Sequence, residues 1–166
     1  QRDFLAWLTK EKDPAFFSRH KAAALAKLGA LRLIAARGKV AAVADWLKAC
    51  DVGPGKIIVF SNFKEPLEDL HRLTPGSVLF TGELSAGQRQ AAVERFQKPG
   101  DPCFFLGTYG AASTGITLTA ADRVVLLDLP WTPAAKAQAE DRAHRFGQKR
   151  PVTVTHIIAA GTTDER

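Results

Sequence analysis

Lys56-Ile-Ile-Val-Phe-Ser-Asn-Phe63 is a short, unbroken apolar run closed by a hydroxyl and an amide side chain. Strands covered on both faces read as continuous apolar runs, whereas strands with one wet face alternate. Further β-branched or aromatic runs recur at Val78–Thr81, Cys103–Gly107, Val124–Asp128 and Val152–Ile158. Stretches of helical period separate them, at about Glu65–Leu73, Ser85–Gln97 and Pro133–His144. Turn residues fall in the gaps, at Thr74-Pro-Gly76, Lys98-Pro-Gly-Asp-Pro102 and Gly147-Gln-Lys-Arg-Pro151. Strands alternating with helices of this length predict β-α-β units, hence an α/β domain whose mainly parallel central sheet is flanked by helices.

The chain upstream differs. Residues 1–52 are rich in Ala, Leu and Lys and carry a helical period. Phe4, Leu5, Trp7 and Leu8 open one helix, Ala22–Ala36 continues the pattern, and Val40–Leu47 forms another before Gly53-Pro-Gly55. This predicts a helical lead-in over 1–52, packed on an α/β domain over 53–166, with Phe4, Trp7, Phe16, Phe17 and Trp46 in its core. A length of 166 residues suits one α/β domain with a proper core. No long uncharged apolar run is present, and the charged start has no signal-peptide pattern. Cys50 and Cys103 are far apart and lack metal-ligand neighbours at short spacing, so a reduced, intracellular protein without a metal site of its own is expected, cytoplasmic or nucleoid in a bacterium. A formal net charge of +6 permits a polyanionic partner without choosing one. The chain holds no methionine and opens in mid-pattern, so it is expected to be a piece of a longer polypeptide.

The chemistry concentrates in Gln138-Ala-Glu-Asp-Arg-Ala-His-Arg-Phe-Gly-Gln148. On a helix Gln138, Arg142 and Arg145 share one stripe. Two guanidiniums on one face repel unless an anion sits between them, and their planar forks match phosphate oxygens. The alternative is a solvated face with an ordinary Asp141–Arg145 ion pair. No G-x-x-x-x-G-K-[ST] loop and no D-E-x-H box occurs, because Gly53-Pro-Gly-Lys56 runs straight into a strand. The chain therefore carries the arginine side of a nucleotide site without the phosphate-cradling side. No G-x-G-x-x-G follows a strand, which argues against a dinucleotide enzyme. The small-residue run Gly110–Gly115 would let main-chain N–H groups approach an anion, with Ser113 and Thr114 adding hydroxyls; a tight strand-to-helix turn would need the same residues.

The undecapeptide at 138–148 resembles the last signature motif of the Swi/Snf family of helicase-like, ATP-driven DNA translocases, roughly Q-A-x-D-R-x-x-R-x-G-Q. The resemblance continues upstream in order. Lys56–Phe63 is similar to the family's K-x-x-x-F-S-x-F, and Thr81-Gly-Glu-Leu-Ser85 with Arg89-Gln90 and Phe96-Gln97 to its next segment. Thr108–Asp122 is similar to its small-residue motif, and Asp128-Leu-Pro-Trp-Thr-Pro133 to D-x-x-W-x-P. The common form of the small-residue motif has Thr-Arg where this chain has Tyr109-Gly110. Together with the T-G-E-L-S form, that departure is closer to the distant branch of annealing helicases and bacterial relatives than to nucleosome remodellers.

The resemblance implies a carboxyl-terminal RecA-like lobe of a superfamily two motor that moves on duplex DNA, using ATP and a Mg²⁺ held mainly by an amino-terminal lobe of the same polypeptide. It implies Arg145 as an arginine finger, Arg142 as a second γ-phosphate contact, Gly115 beside the nucleotide, and Gln138 either orienting the two arginines or contacting the nucleotide. Ser61, Asn62, Thr81, Gly82, Thr108, Ser113 and Thr114 are implied contacts to DNA phosphates, which fix register and carry no base information. Arg89 either binds DNA or pairs with Glu83. Trp131 is either an exposed wedge against nucleic acid or a plug under the last helix. Gln148 suits a turn as well as a site, and His144, off the stripe, reads as structural. DNA over RNA rests on the resemblance alone. The competing expectation is a catalytically inactive nucleic-acid-binding or docking module, whose mark would be damage at Arg142 or Arg145; both arginines are intact.

Overall fold

Ile57 and Val59 face one side of the central strand and Ile58 and Phe60 the other, and all four are fully buried. The computed structural model describes residues 14–50, 53, 55–100, 103–113 and 115–165, with backbone alone for 14–22. Strands β1 Lys56–Ser61, β2 Val78–Phe80, β3 Phe104–Thr108, β4 Ala121–Leu126 and β5 Thr153–His156 form one sheet in the order β2-β3-β1-β4-β5. Each of the four pairings is parallel, as the continuous apolar runs predict. The helices are α1 Pro14–Ala49, α2 Lys64–Leu73, α3 Ala86–Gln97, α4 Tyr109–Ala112 and α5 Pro133–Glu140, with a 3-10 turn at Thr163–Glu165.

Each sheet face has its own core. On one, Val40, Val43, Ala44 and Leu47 of α1 and Leu67 and Leu70 of α2 meet Ile57, Val59, Leu106, Val125 and Leu127. On the other, Phe96 of α3, Tyr109, Ala111 and Ala112 of α4, and Ala139 of α5 meet Ile58, Phe60, Phe80, Phe105, Val124 and Leu126. Gly107 fits between two rings of this second core, where a Cβ would stand 3.2 Å from Phe60 and 3.2 Å from Phe105. At the amino end of β1, the ammonium of the buried Lys56 donates to the carbonyls of Phe96 at 2.7 Å and Lys98 at 2.5 Å, closing the last turn of α3.

Three expectations need correction. The segments 22–36 and 40–47 are not separate helices but lie within the 36-residue α1. Gly38 does not break it, because the buried stripe Ala36, Val40, Val43, Ala44 and Leu47 keeps its phase across the glycine. Trp46 is not a core residue; it sits one position off that stripe and is 38% exposed. The last helix stops at Glu140, short of His144. The carbonyl of Arg142 accepts from Leu118 N at 2.9 Å and that of Ala143 from Gln148 Nε2 at 3.3 Å, so neither continues a helical ladder. Phe4, Leu5, Trp7 and Leu8, and the side chains of Phe16 and Phe17, lie outside the described residues.

Candidate nucleic-acid and nucleotide interface

Parallel strands bring all their carboxyl ends to one edge, so the loops after β1, β2, β3 and β4 share a rim. At its centre lies Asp128, 1% exposed, just past β4. Ser61 Oγ donates to Asp128 Oδ2. Asn62 N donates to Oδ1 at 3.0 Å, and Asn62 Nδ2 donates to Oδ1 and to Leu129 O, the latter at 2.8 Å. Tyr109 Oη donates to Asp128 O at 2.7 Å, with its ring stacked 5.6 Å from Phe60. Asp128 thus ties together three loops, joining that after β1 through its carboxylate and that after β3 through its main-chain carbonyl. Burial holds the Asp128 carboxyl above its usual range, against the lowering effect of the Ser61 and Asn62 bonds and the Arg32 charge. Burial likewise raises the Tyr109 phenol, with the Asp128 charge adding to it.

This hub corrects the expectation for Ser61. Its side chain is fully buried and spends its hydroxyl proton on Asp128, so it offers no exposed donor at the rim. Asn62 is half-buried and directs its amide to the same carboxylate. Thr81 is 5% exposed just beyond β2, whereas Gly82 is open. Arg89 does not pair with Glu83: its Nε donates to Leu84 O at 3.0 Å and its Nη2 to Gly82 O at 2.9 Å, bracing that loop from within. Glu83 instead pairs with Lys64 at 2.6 Å. Thr108 caps α4 by accepting from Ala111 N at 3.4 Å, and the exposed Ser113 donates to Gly110 O at 2.7 Å. Thr114 lies outside the described residues. Trp131 is not a buried plug under the last helix. It is 49% exposed, and the guanidinium of Arg32 lies 4.1 Å from its ring centroid.

The arginines converge although their stretch is not helical. Arg142 is 6% exposed; its Nε donates to Gln138 O at 3.0 Å and its Nη1 to Ile116 O at 3.3 Å. Arg145 is half-buried; its Nη1 donates to Gly115 O at 3.1 Å and to Thr117 Oγ1 at 3.1 Å. It makes no ion pair with Asp141. Both guanidiniums therefore grip the segment 115–117, entered through Gly115 at φ +80°, a conformation that favours glycine. Segment 115–117 and α3 wall a groove of about 610 Å³, to which α3 contributes Arg89, Gln90 and Gln97. Burial, then the charge of Arg145, push the Arg142 guanidinium below its usual range, against Asp141. Each arginine keeps its Nη2 group for another acceptor, and such a pair fits a polyphosphate. Gln138 is exposed and lines a separate cavity of about 150 Å³ with Tyr109, Gly110 and Ser113. Gln148 is a turn residue: its amide donates to Thr119 O at 3.2 Å and Ala121 O at 2.6 Å, and accepts from Arg150 N at 2.9 Å.

Sequence reasoning missed the roles of Asp128, Tyr109 and Arg32. Asp128 was visible as the first letter of D-x-x-W-x-P. Arg32 left no signal, because its partner Leu129 is 97 residues away. Among the described residues no three His, Cys, Asp or Glu side chains gather as metal ligands, and no helix is long and apolar enough to cross a membrane.

Residues 38–147 match the family described as helicase conserved C-terminal domain. The SNF2 domain-containing protein CLASSY 3 of Arabidopsis thaliana is 38% identical over 130 residues, covering 72% of this chain and 9% of that protein. The SWI/SNF-related matrix-associated actin-dependent regulator of chromatin subfamily A-like protein 1 of Drosophila melanogaster is 34% identical over 131 residues, 76% of this chain and 17% of that protein. The chain thus spans well under a fifth of the length of these relatives. Among solved structures, the C-terminal part of the Fun30 ATPase domain superposes with a TM-score of 0.70 at 30% identity, over 77% of this chain and 43% of that one.

Proposed function

The chain belongs to the helicase C-terminal domains of the Swi/Snf family, and from that premise we propose that it is the carboxyl-terminal lobe of an ATP-dependent motor that moves on duplex DNA. The observation that carries this reading is the convergence of Arg142 and Arg145 on segment 115–117, each with Nη2 unspent, beside the rim of strand-end loops. ATP and Mg²⁺ would sit between this lobe and an amino-terminal one, which supplies the phosphate cradle and the metal ligands and so binds the attacking water. Arg145 is the finger: it donates to γ-phosphate oxygens as charge accumulates on them, and Arg142, held more rigidly by burial, makes the second contact. Gly115 borders the nucleotide, and Gln138 orients Arg142 through its main-chain carbonyl.

On the rim, Asn62, Gly82, Thr108, Ser113 and Arg89 form the phosphate-tracking surface, with Ser61 and Thr81 supporting it from beneath and Trp131 at its margin; Thr114, outside the described residues, keeps the contact that the family resemblance implies. Segment 115–117 joins the two functions, because it continues the small-residue run at one end and holds both arginines along its length. Closure of the cleft would move the tracking loops through this segment, and repeated closure would step the duplex. Residues 53–166 make up the lobe and the helix over 14–49 serves as its lead-in.

The test is ATP hydrolysis by the full polypeptide with duplex DNA, single-stranded DNA, duplex RNA or no polymer. Strong stimulation by duplex DNA is expected, with Arg145→Ala lowering the stimulated rate by roughly 10³-fold at little cost to DNA affinity. Hydrolysis indifferent to polymer, or unmoved by Arg145→Ala, would assign the lobe to the inactive binding class instead.

A further inference from the structure

Arg32 belongs to α1 and to none of the motifs that define the site. Its Nη2 donates to Leu129 O, the same carbonyl that accepts from Asn62 Nδ2 at 2.8 Å, and its guanidinium lies over Trp131. The loop from Asp128 to Thr132 is anchored at both ends. Asp128 is fixed by Ser61 and Asn62, while Thr132 caps α5 by accepting from Ala135 N at 3.2 Å. Trp131 stands between these anchors with half its surface in solvent, and Arg32 is what covers one face of the ring. A planar guanidinium that both stacks and donates along its edge fixes the ring plane in a way an ammonium cannot.

We infer that Arg32 is a positioning residue for Trp131, so that α1 sets the orientation in which the aromatic margin of the rim meets nucleic acid. This rests on the reading of the lobe as a duplex DNA motor. The helix is well placed to hold that orientation. Lys39, two turns further along the same face, is buried, donates to Asp164 Oδ2 at 2.6 Å and to Ile157 O at 3.0 Å, and so locks α1 against rotation. Each cation therefore meets a main-chain carbonyl just past a strand end, Leu129 after β4 and Ile157 after β5. With Arg32 stacked on one face, the Trp131 ring leaves its other face to sugar or base edges, and the neighbouring loops take the phosphates.

The experiment is ATP hydrolysis by the full polypeptide against duplex concentration, for wild type, Arg32→Ala, Arg32→Lys, Trp131→Ala and Arg32→Ala with Trp131→Ala. Arg32→Ala is expected to raise the half-saturating duplex concentration about 3- to 10-fold, the range of a partly desolvated cation–π contact, with the loss confined to that parameter. Arg32→Lys should recover only part of the loss. The double variant should match Trp131→Ala alone, because Arg32 acts through that ring. Additive losses in the double variant, full rescue by lysine, or a parallel fall in the saturated rate and the melting temperature would each overturn the inference. Wild-type hydrolysis without duplex stimulation would overturn the motor reading itself, and this inference with it.

Discussion

At the scale of single residues, Asp128 shows how a motif letter acquires a physical role. Three donors, Ser61 Oγ, Asn62 N and Asn62 Nδ2, converge on its carboxylate, and burial favours the neutral acid. A carboxyl whose folded pKa is raised contributes stability that is complete below its unfolded pKa and is lost as pH rises through the folded one. The Asp128 contribution should therefore fall as pH climbs from about 4 toward neutrality, starting at the usual carboxylate range. Asp128→Asn keeps one oxygen for Asn62 and removes the titration. Its stability, read from urea midpoints, should fall less than that of wild type over this interval; parallel curves for the two proteins would refute the assignment. Asp128→Ala strands all three donors and should cost about 2–4 kcal/mol at any of these pH values, because buried donors without acceptors are expensive. The letter was legible in the sequence. Its three-way connection was not, since it depends on β1 and β4 lying side by side.

At the scale of elements, the sequence was most informative where one force dominated. The five strands form near their expected positions, β1 most plainly because burial on both faces leaves a continuous apolar signature, whereas the edge strand β5 is only partly buried; α2 and α3 begin within a residue of theirs. The lead-in misled because glycine at position 38 reads as punctuation, whereas the tertiary stripe from Ala36 to Leu47 carries the helix through it. The helical stripe at 138–145 misled in the opposite sense: its arginines meet at one place, but turns bring them there after α5 has ended. Gly38 also offers a direct measurement. It is exposed, and a Cβ built on it meets nothing within 4 Å. Gly38→Ala should stabilise the fold by about 0.5–1 kcal/mol, by reducing the backbone freedom of the unfolded chain. A melting temperature unchanged or lowered by the substitution would mean that α1 bends or opens at this point.

At the scale of the whole molecule, the arginines proposed to face the nucleotide are joined through segment 115–117 to the rim proposed to track phosphates. An arginine finger stabilises charge that develops during phosphoryl transfer; it neither holds the metal nor positions the attacking water. The 166-residue chain by itself should therefore bind duplex DNA weakly and turn over no ATP. Its net charge of +6 and its rim of main-chain and hydroxyl donors make that binding mostly a matter of phosphates. Affinity should accordingly fall steeply as salt rises from about 50 to 200 mM, by a similar factor for unrelated duplex sequences. Fluorescence anisotropy of labelled duplexes, alongside a phosphate-release assay on the same preparation, tests both halves. Sequence-selective, salt-insensitive binding would point to base readout and away from a tracking surface. Steady ATP turnover by the isolated chain would require a phosphate cradle within it, and the division of labour between two lobes would then be wrong.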